Sequence, residues 1–115
     1  MHNNTTLGQK GEQLAQEYLQ KNGFLIVEKN FRYKKAEVDL IASKEDLLVF
    51  VEVKYRKNAK FGFPEEAVND RKVELLQETS EYYIEKISWK GRLRFDIISI
   101  LQQPTFEIMH LKDAF

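Results

Sequence analysis

The chain contains no cysteine, and this absence removes several kinds of chemistry at once. Disulfide frameworks, thiolate-zinc sites and a cysteine nucleophile are all excluded. A protein without thiols also suits a reducing compartment, and we expect a cytoplasmic location. Histidine is scarce too: His2 and His110 are isolated in the sequence and predict neither a metal-ligand pair nor a catalytic triad with their neighbours.

Long apolar runs are missing as well. No segment approaches the roughly 20 residues that a membrane-spanning helix needs, and the N-terminal segment lacks the apolar centre of a signal peptide. We therefore expect no membrane partner. With 115 residues, 43% of them hydrophobic, the chain has material for one core, and we expect a single domain over residues 1–115.

The net charge is zero, but the charged residues are unevenly distributed along the chain. The 18 basic and 18 acidic residues cancel, which counts mildly against a nucleic-acid-binding protein, because many such domains are basic. However, eleven cations lie in three short segments that contain no acid, 29–35, 54–60 and 90–94, while seven of the 18 acidic residues lie between 65 and 85. A basic face on the folded domain and ordinary solvated loops are equally good interpretations.

Hydrophobic periodicity and turn residues predict seven elements in the order α-β-β-β-α-β-β. They cover residues 6–22, 24–33, 37–43, 47–54, 64–86, 92–101 and 105–112. The second and third strands are apolar on both faces, so we place them centrally in a sheet that is covered on each side. The pattern predicts an α/β sandwich around one mixed sheet.

Three ionisable residues interrupt the two central strands: Asp39, Glu52 and Lys54. Charges at such positions are costly unless they are compensated, and two carboxylates together usually indicate a bound cation. If Glu45 and Asp46 alone form the turn between the strands, Asp39 lies opposite Glu52, on the face that also carries Lys54. A three-residue turn would instead place the two acids on opposite faces.

Opposed carboxylates favour a hard divalent ion, and Mg²⁺ or Mn²⁺ is the expected cofactor. Phosphodiester hydrolysis needs an activated water and charge neutralisation at the phosphoryl oxygens. We predict that Asp39 and Glu52 bind the metal and that Lys54 orients the water or neutralises charge. Glu12, at the rim of the first helix's apolar face, would complete the site. The structural alternative is a set of salt bridges, Glu37 with Lys54 and Asp39 with a nearby arginine, beside a solvated Glu12.

Seven ordered blocks of sequence resemble the YraN-like family of uncharacterised bacterial proteins, which is related to archaeal Holliday-junction resolvases. The blocks are GQKGE (8–12), KNFR (29–32), EVDLIA (37–42), FVEVKYR (50–56), FGFPEEAV (61–68), Lys72 and RFDII (94–98). The resemblance implies a restriction-endonuclease-like, three-layer α-β-α sandwich, also found in the catalytic domain of tRNA-splicing endonucleases. It further implies that Glu12, Asp39, Glu52 and Lys54 occupy the nuclease positions.

One residue departs from the family pattern. Ala36 stands where the family usually has glycine. If that position requires a positive φ angle, Ala36 would be strained and could displace Asp39.

Three functions follow from these observations as hypotheses. The first is a Mg²⁺-dependent endonuclease that acts on DNA, including branched or structured DNA. In it, seven cations would bind the backbone: Arg32, Lys34, Lys35, Arg56, Lys57, Lys60 and Lys72. From sequence alone, Lys72 is expected to extend its stem along the apolar stripe of the second predicted helix, or else to reach a phosphate.

The second hypothesis is a non-catalytic nucleic-acid-binding module with the same fold. The third is a protein-interaction domain that uses the acidic second helix. A homodimer would suit an enzyme that cuts two strands, although no residue in the sequence argues for one.

Overall fold

The computed structural model describes residues 7–58 and 70–115. The elements are α1 (Leu7–Lys21), β1 (Leu25–Tyr33), β2 (Ala36–Lys44), β3 (Leu47–Arg56), α2 (Asp70–Ile87), β4 (Arg92–Leu101) and β5 (Glu107–Leu111). Their type and order confirm the prediction. The predicted start of the second helix at Pro64 lies outside the described residues, as does Lys60.

The five strands form one mixed sheet in the order β1-β2-β3-β4-β5. β3 and β4 are parallel, whereas the other neighbours are antiparallel. The strands with apolar residues on both faces, β2 and β3, are interior strands, and β5 is an edge strand. The predicted mixed sheet is therefore confirmed.

The two helices cover opposite faces of this sheet. On one face, Ala15 and Leu19 of α1 pack with apolar side chains of β2, β3 and β4 such as Leu40. On the other face, Leu76 and Tyr83 of α2 pack against a second apolar cluster of β2 and β3. The α/β class and its three layers follow from this packing. Among the described residues, neither helix has the length and apolarity needed to cross a membrane.

Two glycines shape α1. Gly23, with φ of 89°, ends the helix, and the Phe24 N–H then donates to the Leu19 carbonyl over 3.0 Å. Gly11 allows a close approach to β3, since a Cβ at this position would lie 2.6 Å from Cβ of Tyr55. The residue after Gly11 is Glu12, so this contact also sets the position of a predicted site residue.

The turn between β2 and β3 contains two residues. Lys44 pairs with Leu47, and the antiparallel register continues to Leu40 opposite Val51. Glu45 takes a positive φ of 56°, as one position of a tight hairpin turn commonly does. The two-residue alternative is confirmed, and the three-residue turn is excluded.

The interpretation of a single basic face fails for one of the three basic segments. Because β3 and β4 are parallel, Arg92 pairs with Leu47 at the start of β3. The segment 90–94 therefore lies at one end of the sheet. The segment 29–35 and the described part of the other segment, 54–58, lie toward the opposite end, where the β1–β2 turn lies and β3 ends.

Candidate functional site

Asp39 and Glu52 lie in one cavity between the sheet and α2. The cavity has a volume of about 430 Å³ and is lined by Lys35, Ala36, Glu37, Asp39, Glu52, Arg71, Lys72, Leu75 and Leu76. The two-residue turn sets the register between β2 and β3. Because side chains alternate along each strand, this register places both acids on the same face of the sheet. The sequence predicted this convergence.

The carboxyl group of Asp39 takes the place of a backbone acceptor between β2 and β3. The regular pairing of β2 with β3 ends at Leu40 and Val51. Beyond it, the Val53 N–H donates to Oδ2 of Asp39 over 2.7 Å. A side-chain oxygen thus satisfies a strand donor and orients the Asp39 carboxyl in the gap between the two strands.

The pKa of Asp39 is raised from 3.8 to about 7. Burial is the main cause, because a carboxylate loses hydration there. The Val53 hydrogen bond lowers the pKa, while the negative charges of Glu52, Glu12 and Glu37 raise it further. Near neutral pH, this group is therefore poised between its protonated and charged forms, and a nearby cation would favour the charged form.

Glu52 is 9% exposed and is surrounded by lysines. Its Oε1 lies 2.7 Å from Nζ of Lys72 and 3.4 Å from Nζ of Lys54. The expectation that Lys72 extends along the apolar stripe does not describe this structure, and its contact with a phosphate stays a prediction. Lys72 forms an ion pair instead, because α2 places its first turn over the end of β3.

Glu12 approaches the site from the α1 side of the sheet. Nδ2 of Asn30 donates to both of its carboxylate oxygens over 3.0 Å, and Glu12 also lines a separate cavity with Lys29 and residues of α1. Its charge nevertheless contributes to the raised pKa of Asp39. Glu12 thus lies in a neighbouring cavity in contact with Asn30, and its part in the site stays a prediction.

The salt bridges of the structural alternative also differ from those observed. Glu37 was expected opposite Lys54, but its carboxylate lies 3.6 Å from Nη2 of Arg32 on β1. Lys54 pairs with Glu52. The antiparallel pairing of Arg32 with Glu37 brings these two side chains together across the strands.

The predicted backbone-binding cations divide into two groups. Lys35 and Lys72 line the cavity, and Arg32 borders it through Glu37. Arg71, which was not predicted, also lines the cavity. Sequence reasoning had a signal for Arg71, namely its position next to Lys72 on the same helical turn.

The remaining cations lie elsewhere. Lys34 borders a different cavity that contains Glu78, Glu81 and Glu85, and its Nζ lies 5.3 Å from the centre of the Tyr33 ring. Arg56 ends β3, followed by Lys57, and neither lines the cavity of Asp39 and Glu52.

The strain expected at Ala36 is absent. Positive φ angles in this region occur at Asn30 and Lys34, whereas Ala36 has none. Ala36 is buried in the wall of the cavity and is compatible with the position of Asp39.

The donor set fits a hard divalent ion that keeps most of its water. In residues 7–58 and 70–115, no group of three or more histidine or acidic side chains is arranged to hold a metal. Two carboxylates suffice for Mg²⁺, which retains several water ligands. Burial and then the neighbouring acids raise the pKa of Asp39, and a cation beside it would favour the charged form.

Sequence reasoning missed the part that His110 and Tyr18 play in a polar network centred on Asp96. The fully buried Asp96 pairs with Arg94 over 2.9 Å and lies 2.6 Å from Nε2 of His110. The other ring nitrogen of His110 lies 3.0 Å from the Tyr18 hydroxyl. The isolated appearance of His110 in sequence was misleading, because its partners come from α1 and β4. A charged Asp96 between apolar strand residues was the available signal.

Comparison with known proteins adds a family but no activity. The sequence profile described as "Uncharacterised protein family UPF0102" matches residues 11–100. A UPF0102 protein of Cytophaga hutchinsonii is 48% identical over 107 residues, 93% of each chain. One of Flavobacterium psychrophilum is 41% identical over 116 residues, 100% of this chain and 98% of its own.

A third relative comes from a different genus. The UPF0102 protein of Persephonella marina is 40% identical over 109 residues, 94% of this chain and 91% of its own. These matches confirm the family predicted from the seven sequence blocks, since UPF0102 is the YraN-like family. The chain belongs to the uncharacterised protein family UPF0102.

Proposed function

We propose that this protein is a Mg²⁺- or Mn²⁺-dependent endonuclease that hydrolyses phosphodiester bonds in DNA, including branched DNA. One observation carries the proposal: the carboxyl groups of Asp39 and Glu52 line one cavity together with Lys72, and Lys54 contacts Glu52. Two buried acids in one cavity raise the cost of ionising each other, and a divalent ion would offset this cost.

In this proposal, Asp39 and Glu52 hold the divalent ion, and the Val53 N–H keeps the Asp39 carboxyl in a fixed orientation. A bound Mg²⁺ or Mn²⁺ would supply an activated water and neutralise charge on the phosphoryl group. Lys54, which contacts Glu52, orients that water or compensates the charge that develops on the phosphate.

The cations of the cavity wall would bind the substrate. Lys35, Arg71 and Lys72 come from the β1–β2 turn and from α2, on two sides of the acids. Phosphates held between them would place the scissile bond over Asp39 and Glu52. Glu12 would complete the site, because its negative charge, which is felt at Asp39, favours a cation there.

A non-catalytic nucleic-acid-binding module is the second candidate, and one observation favours it. Lys72 and Lys54 already place two cations against Glu52, so the acid is compensated without a metal. In that case, the same cavity would bind backbone phosphates without cutting them.

Cleavage assays separate the two candidates. Linear duplex, supercoiled plasmid and four-way-junction DNA would be incubated with the protein in Mg²⁺, Mn²⁺ or EDTA. Cleavage should need the metal and fall by about 100-fold or more in Glu52→Gln and Asp39→Asn. Glu78→Gln, on the exposed side of α2, is the matched control and should cut normally.

Three results would contradict the endonuclease. Cleavage that persists in EDTA or in Glu52→Gln would indicate a contaminating enzyme. Failure of all three substrates with both metals would exclude the proposal. Salt-sensitive DNA binding without cleavage would support the binding module instead.

A further inference from the structure

A second cationic cavity lies at the other end of the sheet, on the α1 face. Its volume is about 220 Å³, and its lining residues are Tyr18, Asn22, Phe24, Lys44, Glu45, Leu47, Arg92, Arg94, His110 and Lys112. We call it the Arg94 cavity. From Leu47 in this cavity to Glu52 in the candidate site, β3 runs for about 17 Å.

Strand alternation explains why cations gather here. Arg92 and Arg94 lie on the same face of β4 as Ile98, which packs beneath α1. His110 of β5 pairs with Ile98, and Lys112 follows two residues later. The helix α1 ends at Lys21, so it leaves this end of the face uncovered. Basic side chains from separate strands therefore border one opening.

The guanidinium of Arg94 is held in a fixed orientation by Asp96. Nε and Nη2 of Arg94 each donate to Asp96 over 2.9 Å. Asp96 is 0% exposed and also contacts Nε2 of His110 and accepts from the Asp113 N–H. These donors lower the pKa of Asp96 despite its burial, so the carboxylate stays charged and fixes Arg94 in one orientation.

Arg94 has further N–H donors that can bind a ligand in the cavity. A guanidinium has five N–H donors, and the fork to Asp96 uses two of them. Its side chain is 23% exposed and lines the cavity, so further donors can reach a ligand there. An arginine positioned by a buried acid suits recognition of a planar or tetrahedral oxyanion.

The surrounding charges favour an anion. Four cations line the cavity, Lys44, Arg92, Arg94 and Lys112, against one acid among its lining residues, Glu45. Three of these cations have partners: Nζ of Lys44 donates to the Asn22 carbonyl over 2.9 Å, and Arg92 pairs with Asp46 over 2.8 Å. Arg94 pairs with Asp96 but has three further N–H donors. Arg94 and Lys112 are therefore the main candidates for direct contact with a ligand.

We propose that the Arg94 cavity is a phosphate-binding site, separate from the cavity of Asp39 and Glu52. The ligand group is either a phosphodiester of a nucleic-acid backbone or a free phosphate or phosphomonoester. Because the site lies on the opposite face of the sheet, it does not depend on the endonuclease activity proposed above.

Nuclear magnetic resonance can test this site without any activity assay. The ¹⁵N-labelled full chain is titrated with inorganic phosphate at constant ionic strength, and in parallel with a short DNA duplex. Phosphate should cause saturable shifts at Nε–H of Arg94 and at the His110 ring. Its affinity should fall about tenfold in Lys112→Gln, because a charge-assisted contact is lost.

The controls distinguish this site from the candidate metal site and from general attraction. Lys86→Gln removes another exposed cation, on α2, and should leave phosphate binding unchanged. Glu52→Gln should also leave it unchanged, even if that substitution abolishes cleavage. Absence of saturable shifts at Arg94, or equal weakening by Lys86→Gln and Lys112→Gln, would overturn the proposal.

The parallel titration with the DNA duplex identifies the source of the phosphate. If DNA shifts the same resonances and Lys112→Gln weakens that effect, the ligand is the nucleic-acid backbone. If DNA leaves these resonances unchanged while inorganic phosphate shifts them, the ligand is a free phosphate or a phosphomonoester.

Discussion

Asp39 combines a structural and an electrostatic role in one side chain. Its Oδ2 accepts the Val53 N–H, and its pKa is raised from 3.8 to about 7. A raised carboxyl pKa means that the folded protein retains a proton that the unfolded chain releases. Folding stability should therefore decrease as the pH rises through this interval, and the full loss is present above about pH 7.

Substitution of Asp39 by asparagine isolates this effect. Asparagine keeps an oxygen for the Val53 N–H but does not titrate. The free energy of unfolding of Asp39→Asn minus that of the wild type should increase between pH 4 and pH 8, by up to about 4 kcal/mol. Urea unfolding without metal at several pH values measures this difference. Parallel stability curves for the two proteins would contradict the raised pKa.

The ammonium group of Lys72 neutralises the charge of Glu52, with Nζ 2.7 Å from Oε1. A divalent ion at Glu52 would have to displace this contact. Lys72→Met should therefore bind Mn²⁺ about tenfold more tightly in the absence of DNA, while its affinity for DNA decreases. Calorimetric titration measures the metal affinity.

Lys86→Met is the matched control, because Lys86 lies on the same helix over the Phe31 ring, away from Glu52. Its Mn²⁺ affinity should equal that of the wild type. Equal or weaker Mn²⁺ binding by Lys72→Met would show that the lysine does not compete with a metal.

Among the secondary-structure elements, α1 depends most on one small residue. Gly11 faces Tyr55 of β3 so closely that an added Cβ would lie 2.6 Å from the Tyr55 Cβ. That atom adjoins the backbone, so α1 itself would have to move. Such a shift would carry Glu12 and its contact with Asn30 along.

Gly11→Ala should therefore destabilise the fold by about 1 to 2 kcal/mol, although alanine favours helix more than glycine does. Gly8→Ala, at an exposed position of the same helix, should be neutral or stabilising. Urea unfolding of both variants measures the contrast. If Gly11→Ala were as stable as Gly8→Ala, the close approach of α1 to β3 would be wrong.

The secondary structure itself was largely predictable. The strands β2 and β3 showed apolar runs with a two-residue polar turn, so their pairing and the meeting of Asp39 with Glu52 followed from local rules. The position of Lys72 did not follow, because a helical pattern identifies an apolar face but not the strand that it covers. His110 was misjudged for the same reason, since its partners lie far away in sequence.

Considered as a whole, the molecule has no net charge, so DNA binding must come from local groups of cations. The cavity of Asp39 and Glu52 gathers Lys35, Arg71 and Lys72, whereas Lys34 lies in the cavity that contains Glu78, Glu81 and Glu85. Neighbouring lysines of one turn thus have different surroundings. This contrast provides an internal control for the binding surface.

Lys35→Gln should lower the slope of log affinity for DNA against log salt by about one, for any DNA sequence. Lys34→Gln should leave the slope nearly unchanged, because its ammonium group lies among acids. Fluorescence anisotropy with a labelled duplex at several salt concentrations measures both slopes. If Lys34→Gln and Lys35→Gln lowered the slope equally, DNA phosphates would not bind preferentially at the cavity of Asp39 and Glu52.

The sequence by itself determined the order of the elements, the mixed sheet and the convergence of two acids from neighbouring strands. These features depend on periodicities and pairings between residues that are close along the chain. Only the tertiary structure decided that Lys72 meets Glu52, that Asp96 joins His110, and that the basic segments divide between two ends of the sheet. Those contacts depend on how distant elements pack, which no local pattern encodes.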